Sequence, residues 1–301
     1  MKTAEERMAE ITRPEKPFAT LRWSITVVLV ASFLLATVTV DTNWGRLLDA
    51  PELLWRLFNL MFLPPDLGWL GRGLESMWES VAIAWIGTVI AAILSFPLAF
   101  LAAENMAGRA SVGIVRQILN IFRAVPEIIF AIMLIPMLGL GPVAGALAIG
   151  ISSIGTIGKL TAEVIESIDP GPVQTADAVG ANRLQRWRWG VIPQIMPEVI
   201  ALWLYRFEIN IRVSAVLGVV GAGGIGVLLQ QLLRITRDWA AAGMVLLVVI
   251  GVTILIDTIS GRIRRRIIRG PTRAVDIGAG EGLLSAQTAV TIRPDSATPM
   301  G

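Results

Sequence analysis

The sequence has 301 residues, of which 54% are hydrophobic and only 16% are charged, and its formal net charge is +3. This apolar, charge-poor composition is typical of a membrane protein and not of a soluble domain. The chain contains no cysteine and no histidine, which excludes disulfides, zinc sites of the usual ligand type and imidazole or Cys/His catalysis. We therefore predict no metal site, and we predict no nucleic-acid binding because the arginines cluster at membrane edges.

The N-terminal half begins with a polar stretch at 1–21, which we predict to be a cytoplasmic tail. The apolar run at 23–40 can cross a hydrocarbon core of ~30 Å and exceeds the apolar region of a cleaved signal peptide, so we predict a retained signal anchor. The segment at 41–78 predicts a helix lying in the outer membrane interface, either as an anchor or as a docking surface. Its tryptophans are Trp44, Trp55, Trp69 and Trp78.

Five further apolar runs predict transmembrane helices at 80–102, 118–138, 143–157, 198–220 and 239–259. About six spans place both termini on one side of the membrane. Lysines and arginines between the spans concentrate on that side, which identifies it as the cytoplasm. The other side carries only Arg46, Arg56, Arg72, Arg234 and Arg237. The membrane domain then covers 22–269, and the small, polar residues at 270–301 predict a disordered cytoplasmic tail.

The most polar connection between spans is the cytoplasmic loop at 163–197, and its central part, 169–197, contains local helix signals. Pro170 suits a first helical turn, Gly180 suits a left-handed C-terminal cap, and Asn182 with Gln185 resembles a capping box. These signals predict two short helices joined at a glycine. An apolar stripe at roughly helical spacing predicts docking into a groove on a partner. The stripe consists of Val173, Ala176, Val179, Leu184 and Trp187.

The same loop carries a recognisable motif. Gln174-Thr-Ala-Asp-Ala-Val-Gly180, with Pro193 in Val-Ile-Pro-Gln, resembles the Glu-Ala-Ala…Gly…Leu-Pro signature of ABC importer permeases. Gln174 and Thr175 replace Glu and Ala, and Ile192 replaces Leu, so the motif is diverged. The resemblance implies that this loop is a coupling helix which inserts into a cytoplasmic ATPase. The implied ATPase-coupling residues are Gln174, Thr175, Ala176, Asp177, Val179, Gly180, Ala181 and Pro193.

Two further stretches, 123–127 and 205–226, are similar to the phosphonate-transport branch of these permeases. The resemblance covers about 75–266 and implies an all-α integral membrane protein of the type I importer architecture in the cell inner membrane. It also implies a homodimer, ATPase subunits that bind ATP-Mg, and an extracytoplasmic binding protein. The implied cargo is a phosphonate-type anion, with phosphate or phosphite as alternatives.

Glycines at the end of the fifth span predict a hinge or gate, because closely spaced glycines allow a tight turn or close helix packing. They are Gly221, Gly223, Gly224 and Gly226. A dinucleotide-binding loop is disfavoured, since this run follows an apolar span and does not open a βαβ unit. The chain also lacks a P-loop, because Gly158-Lys159 is followed by Leu160. We therefore predict no cofactor in this chain and ATP hydrolysis by a partner.

Charged residues inside the fifth span form the last group. Each costs ~2.5–3.5 kcal/mol at the bilayer centre, so they should face protein or water. Glu208 and Arg212 can pair at i,i+4 as contacts at a dimer seam, or Arg206 or Arg212 can supply a positive field with Arg123 to a crossing anion. The candidate translocation-path residues are Arg123, Glu127, Arg206, Glu208, Asn210, Arg212 and Ser214.

These features favour a transport subunit over an enzyme, and no catalytic residue is predicted, since no nucleophile–base pair is visible. The leading hypothesis is an importer permease that couples closure of a partner ATPase to alternating access. The alternative is a stand-alone anion channel or secondary carrier in which the intramembrane charges carry the function.

Overall fold

The structure is a computed structural model, which describes residues 19–39, 45 and 48–269. The predicted tails lie outside the described residues, except for 19–21, which open the first helix. Trp44 and Arg46 lie outside them as well. Among the described residues the chain is helical with short turns and contains no strand. The helices are α1 (Ala19–Thr39), α2 (Ala50–Phe62), α3 (Leu70–Ala102), α4 (Arg109–Ala124), α5 (Glu127–Leu138), α6 (Pro142–Glu166), α7 (Pro170–Ala178), α8 (Ile192–Gly218), α9 (Ile225–Gln230) and α10 (Trp239–Arg269).

The chain divides after Phe58 into two compact units. The first contains α1, a 21-residue helix whose apolar side chains are exposed along its described length. It also contains most of α2, which confirms a helix in the predicted outer segment. The rings of Trp55 and Phe58 stack at 6.0 Å on α2. Its place at the membrane interface stays a prediction.

Helix α6 is the centre of the second unit. It packs against α3, α4, α5 and α8, and most of its side chains are buried alanine, glycine, serine or isoleucine. Small residues let the backbones approach closely, as is common between membrane helices. At Gly87 on α3, for example, an added methyl group would lie 2.8 Å from Ile149 on α6. This close packing places the polar residues of α6 against its neighbours.

The third predicted span is broken, which corrects the continuous helix expected at 118–138. Helices α4 and α5 meet at an angle of 83°. Val125 is extended, with φ −94° and ψ 119°, because the ring of Pro126 disfavours a helical conformation in the residue before it. The break sets Glu127 at the first position of α5.

The other long helices begin earlier or end later than their apolar runs. Helix α3 begins at Leu70 and not near residue 80, and α10 continues through its arginines to Arg269 and does not end near residue 259. Helix α8 begins at Ile192 and α6 ends at Glu166, each also beyond the predicted span. Hydropathy detects only the part of a helix that lies in hydrocarbon, so the polar turns were missed.

Three helical segments of the described chain are long and apolar enough to cross a membrane. They are Leu67–Ala102, Pro142–Glu166 and Trp239–Ile268, and the bent pair α4–α5 adds a fourth if it counts as one span. Helix α8 has 27 residues but carries several charges, and α1 is a shorter apolar helix. The count of six spans and the cytoplasmic termini stay predictions.

Candidate functional site

The polar loop at 169–197 folds as the sequence predicts. Asp169 caps α7 by accepting a hydrogen bond from the Gly171 N–H at 2.9 Å. Gly180 follows with φ +77°, in the left-handed region that favours glycine. Asn182 and Gln185 then exchange two hydrogen bonds of 2.9 Å each, which confirms the capping box. Two short helical pieces joined at a glycine are thus confirmed.

The polar loop is tied to the start of α8 through one side chain. The Gln194 amide oxygen accepts from the Asp169 N–H at 3.1 Å, and its amide nitrogen donates to the Asp169 and Gly190 carbonyls at 3.2 and 2.5 Å. Within the loop, Arg186 pairs with Asp177 at 3.2 Å. Pro193 lies in the first turn of α8, so these bonds attach the start of α7 to the start of that helix.

The predicted apolar stripe of the loop divides into two faces, which corrects the single face expected. Val173 and Trp187 point inward, and the ring of Trp187 lies 4.8 Å from that of Phe100 on α3. Val179 and Leu184 are exposed. The stripe splits because Val179 lies six residues after Val173, which at 3.6 residues per turn is a different face of the helix. The left-handed turn at Gly180 then reorients the residues that follow.

The outward part of the loop forms a shallow cavity of ≈ 590 Å³. Trp189, 70% exposed, stands at its edge, and sequence periodicity missed this residue. Its lining residues are Pro172, Thr175, Ala176, Val179, Gly180, Ala181, Gln185 and Trp189. Val179 and Trp189 expose apolar surface at this cavity. Gln174 and Asp177 are exposed beside it.

A second group of polar residues joins four helices inside the second unit. Arg206 of α8 donates from Nη2 to the Glu127 carboxylate of α5 at 2.9 Å and from Nε to Ser153 Oγ of α6 at 3.1 Å. The Ser153 hydroxyl donates to Asn210 Oδ1 at 3.3 Å, and Asn210 donates to the Thr88 hydroxyl of α3 at 2.9 Å. We call Thr88, Glu127, Ser153, Arg206 and Asn210 the polar chain.

The remaining charges of α8 face α10 instead. Glu208 is paired with Arg264 at 3.7 Å, and Arg212 is paired with Asp257 at 3.3 Å. The pairing of Glu208 with Arg212 along one helix is therefore wrong. It failed because each side chain finds a partner of opposite charge on the neighbouring helix, which the spacing within α8 does not show.

Arg123 and Ser214 make no hydrogen bond to the polar chain among the described residues. Arg123 is exposed at the end of α4, its stem lies close to Gly155 of α6, and it has no ion pair or hydrogen bond in the described part of the chain. The Ser214 hydroxyl shares its one hydrogen between the Ile211 carbonyl at 2.8 Å and the Ser80 carbonyl at 3.0 Å. Ser214 thus links α8 to α3, which is a structural role.

The glycine run forms a tight turn between α8 and α9, as the sequence predicts. Gly221, Gly223 and Gly224 have φ values of +90°, +85° and +74°, which favour glycine. The Gly221 carbonyl accepts from the Gly141 N–H at 2.9 Å, and this bond fixes the turn against the start of α6. Gly226 lies against Gly218, where a methyl group would meet backbone at 2.6 Å. The glycines therefore serve close packing, and their role as a gate stays a prediction.

Sequence reasoning missed a charged cluster in which Arg116 of α4 meets the ends of α3 and α6. Arg116 pairs with Glu104 at 2.8 Å and also with Glu166, and its Nε donates to the Ala102 carbonyl at 3.0 Å. The partners lie 12 and 50 residues from Arg116, so no local pattern could have found them. No group of three or more possible metal-ligating residues occurs among the described residues.

The family model described as binding-protein-dependent transport system inner membrane component matches residues 95–269. The phosphite transport system permease protein PtxC of Stutzerimonas stutzeri is 39% identical over 225 residues, which are 73% of this chain and 82% of PtxC. The phosphate-import permease protein PhnE of Mycolicibacterium smegmatis is 36% identical over 249 residues, which are 82% of this chain and 46% of PhnE.

Among solved structures, the chain is similar to a chain of the MetNI methionine ABC transporter in an inward-facing conformation. The TM-score is 0.59 at 23% identity, and the match covers 67% of this chain and 97% of that chain. At this identity the likeness concerns the fold, which is that of type I importer permeases. The family match covers more than half of the sequence and the relatives cover most of it. The chain therefore belongs to the family of binding-protein-dependent transport system inner membrane components, the multi-pass permeases of ABC importers.

Proposed function

We propose that this permease imports a phosphorus oxyanion, namely a phosphonate, phosphite or phosphate, with energy from ATP hydrolysed by a separate cytoplasmic ATPase. The observation that carries the proposal is the similarity to PtxC and PhnE, which are named for phosphite transport and phosphate import. An extracytoplasmic binding protein delivers the anion. Because the sequence has no P-loop, ATP and Mg²⁺ are bound by the ATPase subunits.

The polar loop is proposed as the surface on which the ATPase acts. Exposed Val179 and Trp189 supply an apolar contact, and the Gln194 bonds link the loop to α8 without a flexible spacer. Closure of the ATPase subunits would displace α7 and, through Gln194 and Pro193, the membrane helix. The proposed coupling residues are Gln174, Thr175, Ala176, Asp177, Val179, Gly180, Ala181 and Pro193.

The path of the anion is proposed to pass the polar chain and Arg123. Arg206 brings a guanidinium group into the helical bundle, Arg123 is exposed next to the break that precedes Glu127, and the planar fork of a guanidinium suits phosphoryl oxygens. The glycine turn at the other end of α8 is proposed as the hinge or gate. Its support is the close approach of Gly218 and Gly226, which brings α8 and α9 together with no side chain between them.

A second copy of the chain is proposed to cover the outer face of α8 and α10. The side chains of Arg212 and Asp257 are 58% and 39% exposed, although both lie on long helices. An ion pair that faces lipid is costly, whereas one that faces protein or water is tolerated. A homodimer places Arg212, Glu208 and their partners near a protein seam and not in the substrate path.

Uptake by the complete assembly tests the substrate class. The permease is purified with its ATPase and binding protein, placed in liposomes containing ATP, and supplied with radiolabelled phosphate. We expect phosphite, methylphosphonate or unlabelled phosphate to be carried or to compete, and methionine to have no effect. Uptake of methionine with no response to any phosphorus oxyanion would contradict the proposed substrate class.

A further inference from the structure

The environment of Arg206 differs on its two sides. Arg206 lies near the middle of α8, and its side chain is only 12% exposed. On one side its Nε is bonded to Ser153, and on the other its Nη2 is bonded to Glu127. Nη1 has no hydrogen-bond partner among the described residues. A guanidinium with unused donors in an apolar bundle has capacity for a further acceptor.

The Ser153 side is fixed by buried contacts. Ser153 and Asn210 are fully buried and Thr88 is nearly so, and each takes part in a hydrogen bond of the polar chain. Releasing any of these groups would leave a buried polar atom unpaired, at a cost of about 1–3 kcal/mol. Arg206 is therefore held from behind at a defined position.

The Glu127 side is more open. The Glu127 side chain is 28% exposed, and it is the first residue after the 83° break between α4 and α5. Arg123 flanks the same break and has no counter-ion in the described part of the chain. Arg123 and Glu127 beside the break, together with Arg206 on α8, are two guanidinium groups and one carboxylate. One positive charge is therefore left for an anion to neutralise.

We propose that Arg206 is a ligand of the anion in transit and that Glu127 is the internal counter-ion which the anion displaces. The inference rests on the proposed function. A phosphorus oxyanion takes the place of the carboxylate on the Arg206 guanidinium, and return of Glu127 to Arg206 releases the anion. The exchange answers a physical requirement, because an uncompensated arginine in a low-dielectric path would bind the anion too tightly to let it leave.

A purely structural role for the Glu127–Arg206 salt bridge predicts a different result. If the pair only holds α5 to α8, removal of one charge is harmful because the other is left buried, whereas removal of both charges is nearly neutral. The variants Glu127→Gln, Arg206→Gln and the double variant separate the two roles. Arg206→Lys keeps the charge but lacks the planar fork, so it tests whether the geometry of guanidinium matters.

The test measures phosphite uptake, its kcat and KM, and thermal unfolding for the complete importer in liposomes or detergent. We expect Arg206→Gln and Arg206→Lys each to lower kcat/KM by about tenfold or more. A loss of this size corresponds to the removal of one charge-assisted hydrogen bond. We expect Glu127→Gln to lower KM and kcat together, because the anion enters more easily and leaves more slowly. The double variant should regain thermal stability without regaining uptake.

Recovery of uptake by the double variant to within about twofold of the unmodified importer would overturn the exchange and establish a structural pair. A Glu127→Gln variant with a raised KM and an unchanged kcat would also overturn it. Both results leave the proposed function intact, provided that the unmodified assembly carries phosphite with ATP. An unmodified assembly that carries no phosphorus oxyanion would instead overturn the proposed function itself.

Discussion

The side-chain amide of Gln194 makes two hydrogen bonds to the backbone of Asp169. Its oxygen accepts from the Asp169 N–H at 3.1 Å, and its nitrogen donates to the Asp169 carbonyl at 3.2 Å. The two residues are 25 positions apart, so one side chain closes the whole polar loop. The loop consequently moves with the first turn of α8, and this connection is the mechanical basis of the proposed coupling.

Loss of the Gln194 contact should loosen the loop. We expect Gln194→Ala to lower the amount of phosphite imported per ATP hydrolysed, while ATP hydrolysis continues, because the α7 displacement no longer reaches α8 fully. The measurement is uptake and ATP turnover in the same liposomes. Gln117→Ala is the matched control, since Gln117 is exposed on α4 and should leave the ratio unchanged. An unchanged ratio in Gln194→Ala would contradict this role.

Gly180 allows a comparison at one position. Its φ of +77° costs about 1–2 kcal/mol for most side chains, with asparagine the common exception. We expect Gly180→Val to reduce phosphite-stimulated ATP turnover and uptake, and Gly180→Asn to keep most of both. Equal behaviour of the two variants would show that the left-handed turn is not required.

Close packing at the glycine turn predicts a stability effect. A methyl group at Gly226 would clash with the carbonyl of Ala215, and overpacking of this kind costs about 1–3 kcal/mol. We expect Gly226→Ala to lower the thermal unfolding temperature of the purified permease in detergent. Gly251→Ala is the control, because an added methyl group there meets nothing within 4 Å. A Gly226→Ala permease as stable as this control would disprove the packing role.

The buried amide of Asn210 predicts a second stability effect. Asn210 is fully buried and bonded to Thr88 and Ser153, so Asn210→Ala should destabilise by about 1–3 kcal/mol. Asn120→Ala on the exposed surface of α4 is expected to stay within about 0.5 kcal/mol. The measurement is the thermal unfolding midpoint of both variants in the same detergent, and equal midpoints would contradict the role of Asn210.

Local signals allowed much of the polar loop to be predicted. The cap at Asp169, the turn at Gly180 and the Asn182–Gln185 box each depend on residues a few positions apart, and short-range chemistry decides them. The apolar runs likewise located the helices, although not their polar ends. The break at Pro126 was within reach of the sequence, because proline restricts the residue before it.

Partners across helices could not be predicted. Arg206 lies 79 residues from Glu127, and Asn210 lies 122 residues from Thr88. The i,i+4 spacing predicted an ion pair between Glu208 and Arg212, whereas both residues pair with side chains of α10. Local spacing states which side chains share a face of one helix, whereas the packing of small residues on α6 decides which faces meet.

ATP-dependent uptake of phosphite in liposomes tests the central claim most directly, namely that this permease works through a separate ATPase. The assembly is compared with and without internal ATP and with and without the ATPase subunits. We predict uptake only when both ATP and the ATPase are present. Equal uptake by the permease alone, without ATP, would contradict the account and support a stand-alone channel or carrier.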